Sequence, residues 1–417
     1  MNSAFLSVIA VVLGVTLLQG ANGVLTALLP LRMVGEGMGA ISVGIMATGY
    51  SVGFLVGCLM APTLVRAVGH IRAYAIAAAA LSVMVLSFAI AVDAALWTAL
   101  RSVTGVCMAV LYTVADSWIT DRAPQDQRGR VLSLYLVATK IALIAGPLLL
   151  AVTPVAGPGP MMVMAALISL SLIPVASTRS SSPTLPDSRP MGLLTLFRIA
   201  PAAVTGAFAA GLTNTATINI VPAWGAQIGL TTVYSAGLLA AIQVGSLLGQ
   251  WPLGWLSDRT DRRRVIVYAT IAAALACLAT AALPLLWPGA PGWMAWILLG
   301  LWAAGSMSVY SICVAHAGDR CQPEQIVPAT SALLLSWAVG SAAGPTLASL
   351  TMQAMGPSGL FVYSGAVALL VAAFTQWRLR RRAAPLPEER NSFVAMPTAS
   401  PAASGLNPSG QPPEKKS

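Results

Sequence analysis

Lys140 is the least expected residue in the chain. It stands alone as a charge in an apolar run that starts after Arg130 and continues to residue 154. In a helix rising 1.5 Å per residue it lies ~15 Å from the start of that run. That is near the centre of a ~30 Å hydrocarbon core. A Lys there costs ~2.5–3.5 kcal/mol on insertion scales, a cost that usually reflects substrate contact, ion pairing or proton handling. The alternative is a Lys snorkelling to water in a cavity. Arg101, Gly105, Met108, Tyr112 and Asp116 follow i, i+4, i+7, i+11, i+15 spacing and form one stripe of a helix. Asp116 can carry a proton, or it can pair with Arg66, Arg72 or Arg130 at the end of the bundle. The pairing role is the expected one. His316 is expected to pack as a neutral ring rather than relay protons.

Amides form a second group. One apolar segment carries Thr16, Gln19, Asn22 and Thr26, and another carries Thr213, Asn214, Thr217 and Asn219. Gln243 and Trp337 add an amide and an indole on two further segments. Amides inside a helix bundle hold a substrate or bond across helices for ~0.6–2 kcal/mol each. Interhelical bonding is the default. Gln19, Asn22 and Asn214 are the strongest substrate candidates, because Asn22 and Asn214 occupy matching places in an internal repeat.

The elements that must position these residues are helices in lipid. Of 417 residues, 57% are apolar and 9% are charged, and the mean hydropathy is +0.79. A soluble surface needs roughly a quarter charged residues. Apolar stretches of ~20 residues, the length that crosses a bilayer as a helix, recur from residue 5 to residue 377. Strand-like alternation is absent, which excludes a membrane β-barrel. Expected spans are 5–30, 41–64, 72–92, 95–119, 130–154, 160–177, 199–224, 233–256, 265–287, 292–317, 328–354 and 358–377. The first reads as a spanning helix rather than a cleaved signal, since it lacks a basic leader.

The net charge of +10 does not imply nucleic acid. All but three of the 23 Lys and Arg lie on alternate loops and the C-terminal tail; the exceptions are Arg32, Arg101 and Lys140. Basic loops face the cytoplasm, so both termini are expected there, which needs an even number of spans. Residues 178–198, with four Ser and three Pro, read as a linker between halves 1–177 and 199–377. Residues 378–417 read as a disordered cytoplasmic tail. The five cysteines show no paired spacing, which leaves no disulfide framework and no metal site.

The halves repeat each other. Pro30 and Gly44 match Pro222 and Gly237; Gly53-x-x-x-Gly57 matches Gly245-x-x-x-Gly249. Asp121-Arg122 matches Asp319-Arg320, and Gly146-Pro147 matches Gly344-Pro345, all at offsets of 192–198 residues. Four matches in one order argue for a duplicated six-helix unit. Two such units around a midplane site form a transporter, in which access alternates as one half rocks on the other.

The stretch Gly254-Trp-Leu256-Ser-Asp258-Arg259-Thr-Asp261-Arg262-Arg263 resembles the G-x-L-a-D-r-x-G-r-r loop of the major facilitator superfamily, with Asp261 in place of its second Gly. The matching loop of the first half is degenerate and has no Asp. Leu100-Arg101-Ser-Val-Thr-Gly105 is similar to the family's l-R-x-x-x-G pattern. Gly146-Pro147 and Gly340-x-x-x-Gly344-Pro345 resemble its antiporter motif, whose Gly and Pro serve helix packing. Asp116-Ser117-Trp118-Ile119 looks like the E-S-W-L of a bacterial branch of uncharacterised transporters. The resemblance covers residues 5 to 377. It implies an all-α membrane fold of twelve helices in two pseudo-symmetric six-helix bundles. It also implies that the Arg101 stripe faces the cavity, with Arg101 binding substrate or assisting proton coupling. A structural hydrogen-bonding role for Arg101 stays open beside it. Gly254, Asp258, Arg259 and Arg262 are expected to form a conformational latch.

The function expected is that of a monomeric secondary transporter in a bacterial inner membrane, coupled to protons. Its candidate substrate-binding residues are Gln19, Asn22, Arg101, Tyr112, Lys140, Asn214, Gln243 and Trp337. Arg101 and Lys140 favour an organic anion or polar metabolite as the partner molecule. A proton-coupled multidrug exporter, with Asp116 as the coupling carboxylate, is the alternative. A membrane enzyme would need clustered chemistry that the scattered acids and two histidines do not supply. A channel would normally need a symmetric oligomer. No Walker-A pattern occurs, so ATP is not the direct energy source, and no cofactor is implied.

Overall fold

A backbone in lipid must bond its own N–H and C=O groups, and the chain meets this with helices. The computed structural model describes residues 3–122, 128–176, 191–381 and 393–395. The first half holds α1 (Ser3–Gly35), α2 (Ala40–Val68), α3 (His70–Ser87), α4 (Ala94–Arg122), α5 (Arg128–Leu148) and α6 (Gly159–Ala176). A short α7 (Leu193–Ile199) leads into α8 (Pro201–Gln227), α9 (Thr232–Arg259), α10 (Arg262–Leu286), α11 (Gly292–Gly318), α12 (Ile326–Met355) and α13 (Gly359–Arg381).

Several expected boundaries move. α1 runs through Pro30 to Gly35, and α8 runs through Pro222 to Gln227. A proline forfeits one intrahelical bond, and packed neighbours hold the helix together across it. α3 stops at Ser87, where residues 88–90 form a turn. α5 stops at Leu148, just past Pro147, and a 3-10 turn over Leu149–Ala151 replaces its expected end. α7 occupies the end of the expected linker; residues 177–190 lie outside those described.

Among the described residues, eleven helices are long and apolar enough to cross a bilayer. The long helix left out is α8. Its Thr213, Asn214, Thr217 and Asn219 make it polar, and protein covers almost all of it. The other helices turn apolar side chains outward: Leu59, Leu248 and Leu275 are each more than half exposed. Exposed Trp255 and Trp377 at one end and Trp287 and Trp293 at the other fit the aromatic belts of the two bilayer interfaces.

The repeat appears as packing. α1 packs on α5 and α6, α2 on α4, and α3 on α4 and α6; α8 packs on α12 and α13, α9 on α11, and α10 on α11 and α13. Gly53 and Gly57 abut Ser102, Val106 and Ala109 of α4, while Gly245 and Gly249 abut Gly300 and Ala304 of α11. A Cβ at any of these glycines would strike the partner helix, so close approach requires Gly. Gly146 lies against Gly20 of α1, and Gly344 against Leu212 of α8. The halves meet through α2 on α12 and through α5 on α9.

The tail differs from its expected form. α13 continues to Arg381, and Phe393, Val394 and Ala395 are partly buried against the bundle. Apolar side chains in a polar tail gain by covering exposed apolar surface. Residues 382–392 and 396–417 lie outside those described.

Candidate functional site

A central cavity of about 280 Å³ lies between α1, α2, α4 and α5 of one half and α8, α9, α11 and α12 of the other. Six of the expected residues line it from the helix interiors: Gln19 and Asn22, Tyr112, Lys140, Asn214 and Gln243. Trp337 of α12 lines it as well. No carboxylate lines the cavity among the described residues. Its wall reaches Gln250 and Ala395 toward the end that carries the basic residues. At the opposite end Gly44 of α2 sits against Ser349 and Pro345 of α12, and Thr48 and Thr346 share a hydrogen bond of 2.8 Å.

Lys140 is tied across the two halves. Its Nζ donates to Gln243 Oε1 at 2.7 Å and to Ser246 Oγ at 3.1 Å, both on α9. Two neutral oxygens therefore receive a full positive charge, and the third ammonium proton is free to meet a ligand. On the other side of the cavity the Tyr112 hydroxyl donates to Gln19 Oε1. Asn214 Oδ1 accepts from Ser306 Oγ at 2.6 Å. Its repeat partner Asn22 keeps a buried Oδ1 with no protein donor. The repeat thus sets one amide in a bonded role and leaves the other with an acceptor to offer.

The Arg101 stripe divides. Tyr112 reaches the cavity, whereas Arg101, Gly105 and Asp116 are not part of its wall. Gly105 sits against the Tyr50 carbonyl of α2. Arg101, 1% exposed, donates from Nη2 to Thr26 Oγ1 at 3.2 Å. Its guanidinium lies 4.2 Å from the centroid of the Tyr50 ring, and both Thr26 and Tyr50 line the cavity. Asp116 is fully buried and accepts from the Tyr135 hydroxyl at 2.9 Å. Tyr135 lines the cavity, so Asp116 stands one phenol away from it. Tyr50, Tyr135, Ser246 and Gln250 escaped the sequence reading. Each sits in an apolar run whose local sequence does not say which way the side chain faces, and only the fold turns it inward.

The residues expected to form a latch lie at the basic end, where Arg262 centres a network that includes Asp258. Arg262, 1% exposed, donates from Nε to Asp319 Oδ2 at 2.6 Å and from Nη1 to Ser257 Oγ at 3.1 Å and Asp258 Oδ1 at 3.2 Å. Arg259 instead stacks 3.9 Å from the centroid of the Trp255 ring. Asp261, the departure from the family loop, is the N-cap of α10: its Oδ1 accepts from the Arg263 backbone N–H at 3.0 Å. Its Oδ2 also takes the Arg263 guanidinium at 2.7 Å. Burial raises the Asp261 carboxyl, but these bonds from Arg263 outweigh it and hold the group below its ordinary range. His316 is buried nearby, 2% exposed.

Comparison with known proteins agrees with this architecture. The sequence model of the Major Facilitator Superfamily matches residues 11–325. The uncharacterised MFS-type transporter YcaD of Escherichia coli is 27% identical over 362 residues, covering 86% of this chain and 92% of its own. An uncharacterised MFS-type transporter of Yersinia pestis is 25% identical over 368 residues, covering 87% and 93%. The solved nucleoside transporter NupG superposes with a TM-score of 0.71 at 12% identity, over 92% of this chain and all of its own. A bacterial homolog of the human lysosomal transporter Spinster, inward-facing and unoccupied, gives 0.71 at 15% identity, over 94% and 99%.

Proposed function

This chain belongs to the Major Facilitator Superfamily, a family of transporters and not of enzymes, and on that footing we propose that it carries a small organic anion or polar metabolite across a bacterial inner membrane. The observation that carries the reading is Lys140. It is the one charged side chain among the described residues lining the central cavity, and its partners are neutral. A part-buried cation without a counterion attracts a ligand that brings one. Amides and phenols around it supply orientation, and the apolar wall suits the ligand's carbon skeleton.

The architecture proposed is twelve spans in two six-helix bundles, residues 1–177 and 199–377, acting as a monomer. α8 counts as a span because protein, rather than lipid, surrounds its polar face. The basic end faces the cytoplasm, so the seal of α2 on α12 lies on the outer side and the cavity is reached from within. Access alternates as the halves rock about the α2–α12 and α5–α9 contacts. Proton gradients are the proposed energy source.

A second reading rests on Asp116. Its bond to Tyr135 links a buried carboxylate to the cavity wall, which suits a proton-coupled exporter of organic cations. Proton dequenching in energised everted vesicles decides between the two, against a panel of organic anions, zwitterions and cations. Dequenching by anions or zwitterions that is lost in Lys140→Met supports the first reading. Dequenching by cations that is lost in Asp116→Asn overturns it in favour of the second.

A further inference from the structure

We propose that Phe393, Val394 and Ala395 form an intramolecular plug at the basic mouth of the cavity. The plug competes with closure of that mouth. Four contacts made by three successive residues carry this. The Phe393 backbone N–H donates to Asp258 Oδ1 at 2.9 Å. The Phe393 ring fills the space that a Cβ on Gly254 would enter. Ala395 forms part of the cavity wall, and Val394 between them packs on both apolar clusters of the bundle.

The chemistry of the seat suits an extended strand rather than a free side chain. Gly254 leaves a bare patch of α9 backbone on which a flat ring can lie, and Asp258 presents a carboxylate to an unpaired amide. An N–H bonded to a charged acceptor is worth more than one bonded to a neutral oxygen. Phe393 and Val394 bring the apolar area that removes this patch from water. α13 ends at the same basic end, at Arg381. The residues between it and Phe393 reach ~40 Å when extended, ample against a helix diameter of about 10–12 Å.

The consequence concerns movement and rests on the alternating-access reading above. Glycine faces let helices approach closely. Here the Gly254 face is occupied by a phenyl ring, so α5, already packed on α9, cannot close on that face until Phe393 leaves. The plug therefore opposes closure of the mouth and shields the cavity from that side. It is an autoinhibitory contact that uses Asp258 and Gly254 as its receptor.

The test needs no substrate. Gln250→Cys is placed in a chain whose five native cysteines are serine, and the protein is held in lipid nanodiscs with both faces exposed. The rate of modification by a charged methanethiosulfonate reports access to the cavity. We expect the rate to rise several-fold in Phe393→Ala and in Val394→Asp, and to stay at the parent value in Phe393→Tyr. Thr232→Cys, at the far end, labels at one rate in all of these backgrounds. Equal Gln250→Cys rates with and without Phe393 overturn the plug, and so does a rise matched at Thr232→Cys. A silent substrate panel leaves this readout unchanged, so failure of the carrier reading and failure of the plug are separable.

Discussion

Lys140 on α5 and Gln243 on α9 are joined by a hydrogen bond of 2.7 Å, so the one charge among the described residues lining the cavity also links the two halves. A ligand that takes the ammonium must share it with Gln243 or replace it. Binding at this point therefore changes a contact between the halves, which is how a carrier converts occupancy into movement.

Removing that charge while keeping the length should separate binding from folding. Lys140→Met is expected to weaken organic-anion binding on the order of tenfold to a hundredfold, the equivalent of ~1.5–3 kcal/mol for a charge-assisted hydrogen bond. Thermal-shift titration of the purified protein measures this. Retained anion affinity in Lys140→Met defeats the assignment.

Asp258→Asn keeps an acceptor of the same shape and removes its charge. Transport is expected to slow, while the midpoint of substrate binding stays within about twofold of the parent, a free-energy change below ~0.5 kcal/mol. Vesicle uptake alongside equilibrium binding checks it. Unchanged transport rates would show that the basic end does not act as a latch.

The Arg262–Asp319 pair is buried on both sides, at 1% and 2% exposure. Breaking it by Arg262→Ala takes the guanidinium away from a buried carboxylate and is expected to cost roughly 3–5 kcal/mol. The readout is a fall in melting temperature in detergent, larger than that of Arg259→Ala, whose side chain rests on the exposed Trp255 ring.

Asp261→Ala removes the α10 cap and is expected to cost ~1 kcal/mol, whereas Asp261→Gly costs only a few tenths through capping alone. The folded carboxyl is held below its unfolded value of 3.8. Its contribution is therefore complete above that value and is lost as pH falls through the lower, folded one. A melting-temperature series through the acid range should show the parent converging on Asp261→Ala at the acid end. A constant gap would contradict it.

Gly53→Val and Gly245→Val test the repeat as structure. Each forces a side chain into the backbone of its partner helix, α4 or α11. Overpacking of this kind costs ~1–3 kcal/mol or more, and the two variants should lose folded yield to a similar degree in size-exclusion profiles. A tolerated Gly245→Val beside a lethal Gly53→Val would mean the halves do not pack alike.

Much of this was legible in the order of residues. Apolar length fixes helices in lipid, because no other open backbone is satisfied there. Glycines four apart at a shared offset disclosed the duplication before any packing was known. The isolation of Lys140 marked the cavity's charge, and Gly254 through Arg263 marked the family. Helix ends near Pro30, Pro147 and Pro222 were less legible, because a proline's effect depends on the neighbours that hold the helix across it.

Only the tertiary structure decided which face of each helix looks inward. A polar residue at a given depth reads the same from sequence whether it meets a cavity, another helix or a slot of backbone. Rotation of α4 brings Tyr112 to the cavity and keeps Arg101 and Asp116 behind Tyr50 and Tyr135. The seat of Phe393 on Gly254 and Asp258 joins residues far apart in the chain, and local composition describes only the polar tail around it. Sequence thus determined the helices and the family, since these follow from local length and pattern. The cavity wall and the plugged mouth follow from long-range packing, in which each side chain's role depends on what lies opposite.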